Sequence, residues 1–175
     1  TIGGTGLRSD YMPLDQSQGP RTQVTHRLVR CAAAPDSFWI QHHNGIFRST
    51  AGFDAWSEVK GQPSSFGFAV VVHPTRPDTA WFAPAVKDEY RFPVDGKLVV
   101  SRTTDGGATF EVLGEGLPGQ DAYDLINRHG LDIDASGERL VMSSTTGNLC
   151  VSETAGDRWV QVSSNLPPIY AVRFA

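Results

Sequence analysis

No apolar run in this sequence is long enough to cross a membrane as a helix, and no stretch keeps a helical apolar period for three turns. A membrane-spanning helix and a helical bundle are both excluded as readings. Cysteine is scarce: Cys31 and Cys150 are the only two, about 120 residues apart. That excludes a disulfide-stapled secreted scaffold. Both fall on expected strands of different repeats and read as buried free thiols, which suits a reducing, cytoplasmic compartment. No secretory leader is visible. Positive charge is also short, with a net charge of −4 and scattered basic residues, so nothing marks a nucleic-acid partner. A Gly-x-Ser-x-Gly elbow, a Gly-rich phosphate loop and a Cys-x-x-Cys pair are all missing. The sequence points to no cofactor.

What is abundant is turn chemistry. Eighteen glycines and eleven prolines punctuate valine- and aromatic-rich runs of four to eight residues. This predicts an all-β chain. One short pattern recurs three times: Ser49-Thr50-Ala51-Gly52-Phe53-Asp54-Ala55-Trp56, Thr103-Thr104-Asp105-Gly106-Gly107-Ala108-Thr109-Phe110 and Ser152-Glu153-Thr154-Ala155-Gly156-Asp157-Arg158-Trp159. The closing aromatics are 54 and then 49 residues apart. Such a period signals a repeat architecture, and four short strands with their turns fill it. Each copy joins two strand-like runs. Asp in a tight turn accepts backbone N–H groups, Gly supplies φ > 0, and the aromatic packs between strands. Ser49, Trp56, Thr103, Asp105, Gly107, Phe110, Ser152, Gly156 and Trp159 are therefore expected to be structural.

The pattern resembles the bacterial neuraminidase (BNR) repeat, the Asp box Ser/Thr-x-Asp-x-Gly-x-Thr-Trp of sialidase-like β-propellers. Only the middle copy keeps both Asp105 and Gly107; the first has Ala51 and Phe53 there, the third Thr154 with Gly156. The resemblance implies β-propeller blades of four strands, here at residues 27–60, 66–114 and 123–163, with a closing strand at 169–175. Gly-rich residues 1–7 read as the exit from an earlier blade. Three blades cannot close a ring, so the expectation is about half of a six- to eight-bladed propeller. A missing N-terminal half or a second chain would complete it, and a lone stable monomer is the least expected state. Similarity to bacterial BNR-repeat glycosyl hydrolases and exo-α-sialidase-like proteins implies a sugar substrate. Their chemistry uses three arginines, a Tyr–Glu nucleophile pair and an Asp acid. Arg8, Arg27, Arg128 and Arg173 stay open as candidates for that arginine set.

In a propeller the box turns occupy one face, and the loops between second and third strands occupy the other. That second face is expected to receive His26, His42, His43, Asn44, Asp121, Tyr123 and Tyr170. It also receives an insert holding Lys87, Asp88, Glu89, Tyr90 and Arg91. Asp88 and Glu89 are the candidate acid and base, because glycoside hydrolysis generally uses two carboxyls flanking the bond. Adjacent strand residues point oppositely, so the partner of one would be Asp10, Asp121 or Asp124, or would lie in the missing half. The remaining residues are candidate substrate contacts. Neighbouring histidines do not easily share one ion, and no zinc spacing is present, so no metal site is expected. His42-His43 reads as ligand contact or as a structural turn. His129 reads as a satisfied core residue. The alternative function is a noncatalytic propeller that binds a protein or a small molecule on the same face.

Overall fold

The structure is a computed structural model and describes residues 6–175. The reading of residues 1–5 lies outside the described part. Twelve strands form three four-stranded antiparallel sheets, each in chain order. The first holds β1 (Thr25–Cys31), β2 (Ala34–His42), β3 (Gly45–Ser49) and β4 (Ser57–Val59). The second holds β5 (Gly67–Val72), β6 (Ala80–Pro84), β7 (Val100–Thr103) and β8 (Glu111–Leu113). The third holds β9 (Leu131–Ile133), β10 (Leu140–Ser143), β11 (Leu149–Ser152) and β12 (Val160–Ser163).

These are the expected four-stranded blades, built as up-and-down sheets, and two local features shape them. Residues 34–37, despite their Pro and Asp, belong to β2, because the β1–β2 hairpin closes on Ala32 and Ala33 with Cys31 paired to Ala34. A register shift between Arg30 and Cys31 absorbs the offset. The long insert also delays its return strand. Residues 97–99 stay irregular after a 3-10 turn at Val94–Gly96, although Leu98 N–H still donates to the Pro118 carbonyl at 2.9 Å.

The core lies in the seams between sheets. Every residue of β5 is buried, because both of its faces are covered by neighbours. Trp39 packs on Val70, Val72 and Phe82 of the second sheet, and Trp81 packs on Leu131, Leu140 and Met142 of the third. Both tryptophans are 0 % exposed and find acceptors across the seam, Trp39 Nε1 at Pro77 O (2.9 Å) and Trp81 Nε1 at Ala155 O (2.8 Å). Buried Trp needs such a partner. An arginine paired in register with each Trp reinforces the seam. Arg48 sits 5.2 Å over Trp39 and bonds Asp78, while Arg102 donates to Ala155 O at 3.0 Å and meets Asp157 at 2.8 Å.

The three box turns share one construction. Their fourth residues, Gly52, Gly106 and Ala155, have φ of 69, 75 and 51°. Their N–H groups donate to the carbonyls of Asp36, Asp78 and Glu138 at 3.0, 3.0 and 2.7 Å. Asp105 accepts Thr109 N–H (2.9 Å) and the Thr109 hydroxyl (2.6 Å). In the third turn Thr154 replaces the Asp, and its hydroxyl accepts Arg158 N–H at 3.0 Å. The degenerate copy keeps the bond with a shorter side chain.

Candidate functional site

At the end of the sheets opposite the box turns, a cleft of about 620 Å³ opens between the first two sheets. Its walls come from three loops. The β2–β3 turn supplies His43 and Asn44, and the β6–β7 insert supplies Lys87, Asp88 and Glu89. The arm leading into β1 contributes Tyr11 and Val24, and Phe66 enters just ahead of β5. Five of the expected site residues thus converge. Tyr11, Val24 and Phe66 join them and are not among the contacts expected from the sequence. Their arrival depends on how the arm folds back, which no local pattern encodes.

His42 holds that arm in place. It is 0 % exposed, with Nε2 3.1 Å from Val24 N and Nδ1 3.1 Å from Asn44 N. Burial, then the positive potential of neighbouring His26 and His43, pushes its pKa down to about 4. The expectation of a substrate contact is corrected here: a neutral ring enclosed by backbone amides is a structural element. His26 is likewise buried. Its Nδ1 donates to Gly67 O at 2.7 Å and its ring stacks on Phe68 at 4.4 Å, so it underlies the cleft without lining it. Desolvation first, and Arg128 second after allowance for the Gly67 bond, lowers its pKa. His43, half-exposed, meets Tyr11 (5.4 Å), His26 (5.5 Å) and Phe66 (5.9 Å) edge-to-face.

The two carboxylates are engaged within their own loop. Asp88 Oδ1 takes Arg91 at 2.5 Å, and Glu89 lies 3.6 Å from Lys87, which also sits 4.9 Å over the Tyr90 ring. From there an aromatic row continues along the mouth. Tyr90 meets Phe92 at 6.0 Å, and Phe92 meets Tyr123 at 6.0 Å. Asp121, at φ 48°, lies against Gly96 beside this row. Tyr170 is exposed beyond the third sheet and outside the cleft lining.

Other expected roles are corrected. Asp124 is buried and accepts Thr146 (2.5 Å) and Asn148 (2.6 Å), so it braces a loop and is not a partner carboxylate in the cleft. His129 is exposed, with Nδ1 3.1 Å from Arg173, and is not a core residue. Arg8 is tied to Glu58 and Asp10, and Arg27 donates to the carbonyls of Arg128 and Leu131, so these arginines do not line the cleft. Among the described residues no group of three or more His, Cys, Asp or Glu is placed to hold a metal ion, and no helix is long and apolar enough to cross a membrane.

No protein-family model matches the sequence, and none of the curated proteins does. Among solved structures, an ancestral GH74 enzyme superposes with a TM-score of 0.59 at 14 % identity, over 79 % of this chain and 18 % of that one. These sheets are β-propeller blades. The Niastella koreensis GH74 enzyme gives 0.53 at 15 % identity, over 81 % of this chain and 18 % of that one. YCF48 bound to a D1 peptide gives 0.54 at 16 % identity, over 97 % of this chain and 49 % of that one. The chain thus spans about half of the YCF48 structure and under one fifth of the GH74 enzymes. At such identities the likeness establishes the fold and nothing further.

Proposed function

We propose that the cleft between the first two blades is a noncatalytic binding site for an extended segment of a protein partner. The state of the two carboxylates carries this reading. Asp88 and Glu89 share one wall, each engaged by a cation of its own loop, and the facing wall presents Tyr11, His43, Asn44 and Phe66. Glycoside hydrolysis calls for two carboxyls on opposite sides of the bond. Rings bordered by an amide, a lysine and two acids suit a peptide, whose side chains rest on the rings while its backbone bonds the polar rim. The peptide-bound YCF48 structure, alike in fold, supports the idea that such a face can take a peptide. A screen of immobilised peptides is expected to yield ligands whose affinity falls at least about tenfold in Tyr11→Ala and in His43→Ala. Binding indifferent to both substitutions would sink the reading.

A second reading is a glycoside hydrolase of the BNR-repeat sialidase-like superfamily, with sugar in the same cleft. It is favoured by two carboxylates bordering a space large enough for a sugar. It predicts chromophore release from one of a panel of aryl glycosides, falling about a hundredfold or more in Asp88→Asn or Glu89→Gln. In either case further blades complete the ring. Residues 169–175 would be the first strand of the next one, as the parallel bridge between Ala171 and His129 suggests. The buried free thiols Cys31 and Cys150 support a reducing compartment, the cytoplasm.

A further inference from the structure

The cleft continues beyond its own walls. Lys87 lines it and lies 4.9 Å over the ring of Tyr90, and from Tyr90 two steps of 6.0 Å lead through Phe92 to Tyr123. Neighbouring rings are tilted by 63 and 61°, so the row is ridged and not a flat shelf. Tyr90 is 50 % exposed and Tyr123 68 %. Their backbones are nonetheless fixed. Tyr90 N–H donates to Lys87 O at 3.0 Å, and Ala122 N–H donates to Gly96 O at 2.9 Å, which ties the Tyr123 segment to the end of the insert. Two large rings held out into solvent by a fixed frame form a contact surface.

The polar groups along this surface are unequally used. Acceptors are occupied: Val24 O by His43 N–H (2.9 Å), Phe66 O by Ala85 N–H (2.9 Å), Tyr90 O by Phe92 N–H (2.9 Å), Asn44 Oδ1 by Asp10 N–H (3.3 Å), and the Asp88 carboxylate by Arg91. Donors are spare. Among the described residues the Asn44 amide N–H groups, the His43 ring N–H and the hydroxyls of Tyr90 and Tyr123 meet no acceptor. No lining residue belongs to a sheet strand, so an incoming strand finds no ladder to extend. Charge is uneven too. Asp88 and Glu89 are matched within the insert by Arg91 and Lys87, whereas Asp121, exposed beside Tyr123, has no cation partner among the described residues.

Given the reading of the cleft as a site for a protein segment, we propose that this segment is proline-rich and in the polyproline II conformation. It runs from the cleft over Tyr90 and Phe92 to Tyr123, with a basic residue at the Asp121 end. Proline offers a carbonyl and an apolar ring but no N–H, which is what a surface of spare donors and rings accepts. A polyproline II helix has no internal hydrogen bonds, so its carbonyls stay available to Asn44, His43 and the tyrosine hydroxyls. It rises about 3.1 Å per residue, so the two 6.0 Å ring steps span about four residues. Being extended before it binds, it loses little entropy on docking. A sugar chain is less suited, because its hydroxyls need acceptors as well as donors and the acceptors here are occupied. The unmatched Asp121 selects a lysine or arginine in the partner.

Fluorescence polarisation with labelled peptides of equal length tests this. One is a proline tract ending in two arginines, one a proline tract ending in two glutamines, and one a glycine–serine tract ending in two arginines. The proline–arginine peptide is expected to bind at least about tenfold more tightly than the glycine–serine peptide. Tyr90→Ala and Tyr123→Ala should each weaken it at least about fivefold, and Asp121→Asn should remove most of its advantage over the glutamine ending. Both tyrosines face solvent, so these variants keep the core, and circular dichroism checks that they are folded. Equal affinity for the proline and glycine–serine tracts, proline binding that ignores both tyrosine substitutions, or no binding up to about 1 mM overturns the proposal. An arginine preference that survives Asp121→Asn overturns the place given to the basic residue. Peptides without proline that bind, and weaken in Tyr11→Ala and His43→Ala, would strike the proline-rich partner while leaving the protein-binding reading of the cleft in place.

Discussion

His42 decides how this protein responds to acid. Its folded pKa lies near 4, below the ordinary 6.5, because burial penalises the charged ring. Its contribution is complete above pH 6.5 and is lost as pH falls through 4, since the unfolded chain binds the proton first. His26 and His73 shift the same way, each chiefly by desolvation. We expect unfolding free energy to drop by roughly 2–3 kcal/mol between pH 6.5 and 4 from His42 alone. Chemical denaturation at several pH values, with His42→Gln flattening the slope, checks this. Asp105 acts over a lower range: hydrogen bonds from Thr109 hold its pKa near 2, so its turn stays stapled above about pH 4 and loosens as pH falls towards 2. Thr154 does the equivalent work with a hydroxyl. Thr154→Ala should cost about 1 kcal/mol, and Thr154→Asp should retain most of the stability, both read from denaturant midpoints.

At the level of strands and turns, the blades are joined by tryptophan and arginine reaching across seams. Trp81→Ala removes a fully buried ring and its bond to the Ala155 carbonyl, and should cost about 3–5 kcal/mol. Trp81→Phe keeps most of the volume and should cost about 1–2 kcal/mol, largely the lost bond. The difference in thermal midpoint between the two variants separates packing from hydrogen bonding. Gly116→Ala places a methyl 2.0 Å from the Trp159 carbonyl at φ +84° and should destabilise by at least about 2 kcal/mol.

Across the whole molecule, stability is expected to fall from the inner strand of the middle blade towards the outer strand of the third. β5 is buried throughout, whereas Val160 and Val162 of β12 are more than half exposed. Amide exchange followed by mass spectrometry should find β5 protected longest and β12 exchanging fastest among the strands.

The strand pattern, the box spacing and the turn residues alone determined the three blades and which loops share a face, because short-range propensity and a fixed repeat act through neighbours in sequence. Asp105 and Trp159 could be read as structural from their place in the repeat. The cleft was legible only as a set of loops. That His43 faces the opening while His42 is enclosed by the Val24 and Asn44 amides, and that Asp88 is taken by Arg91, depends on chain segments meeting from far apart. The tertiary structure decided those pairings, and with them the burial of Leu7 and the partial exposure of Leu166, since burial is a property of what packs against a residue and not of the residue itself.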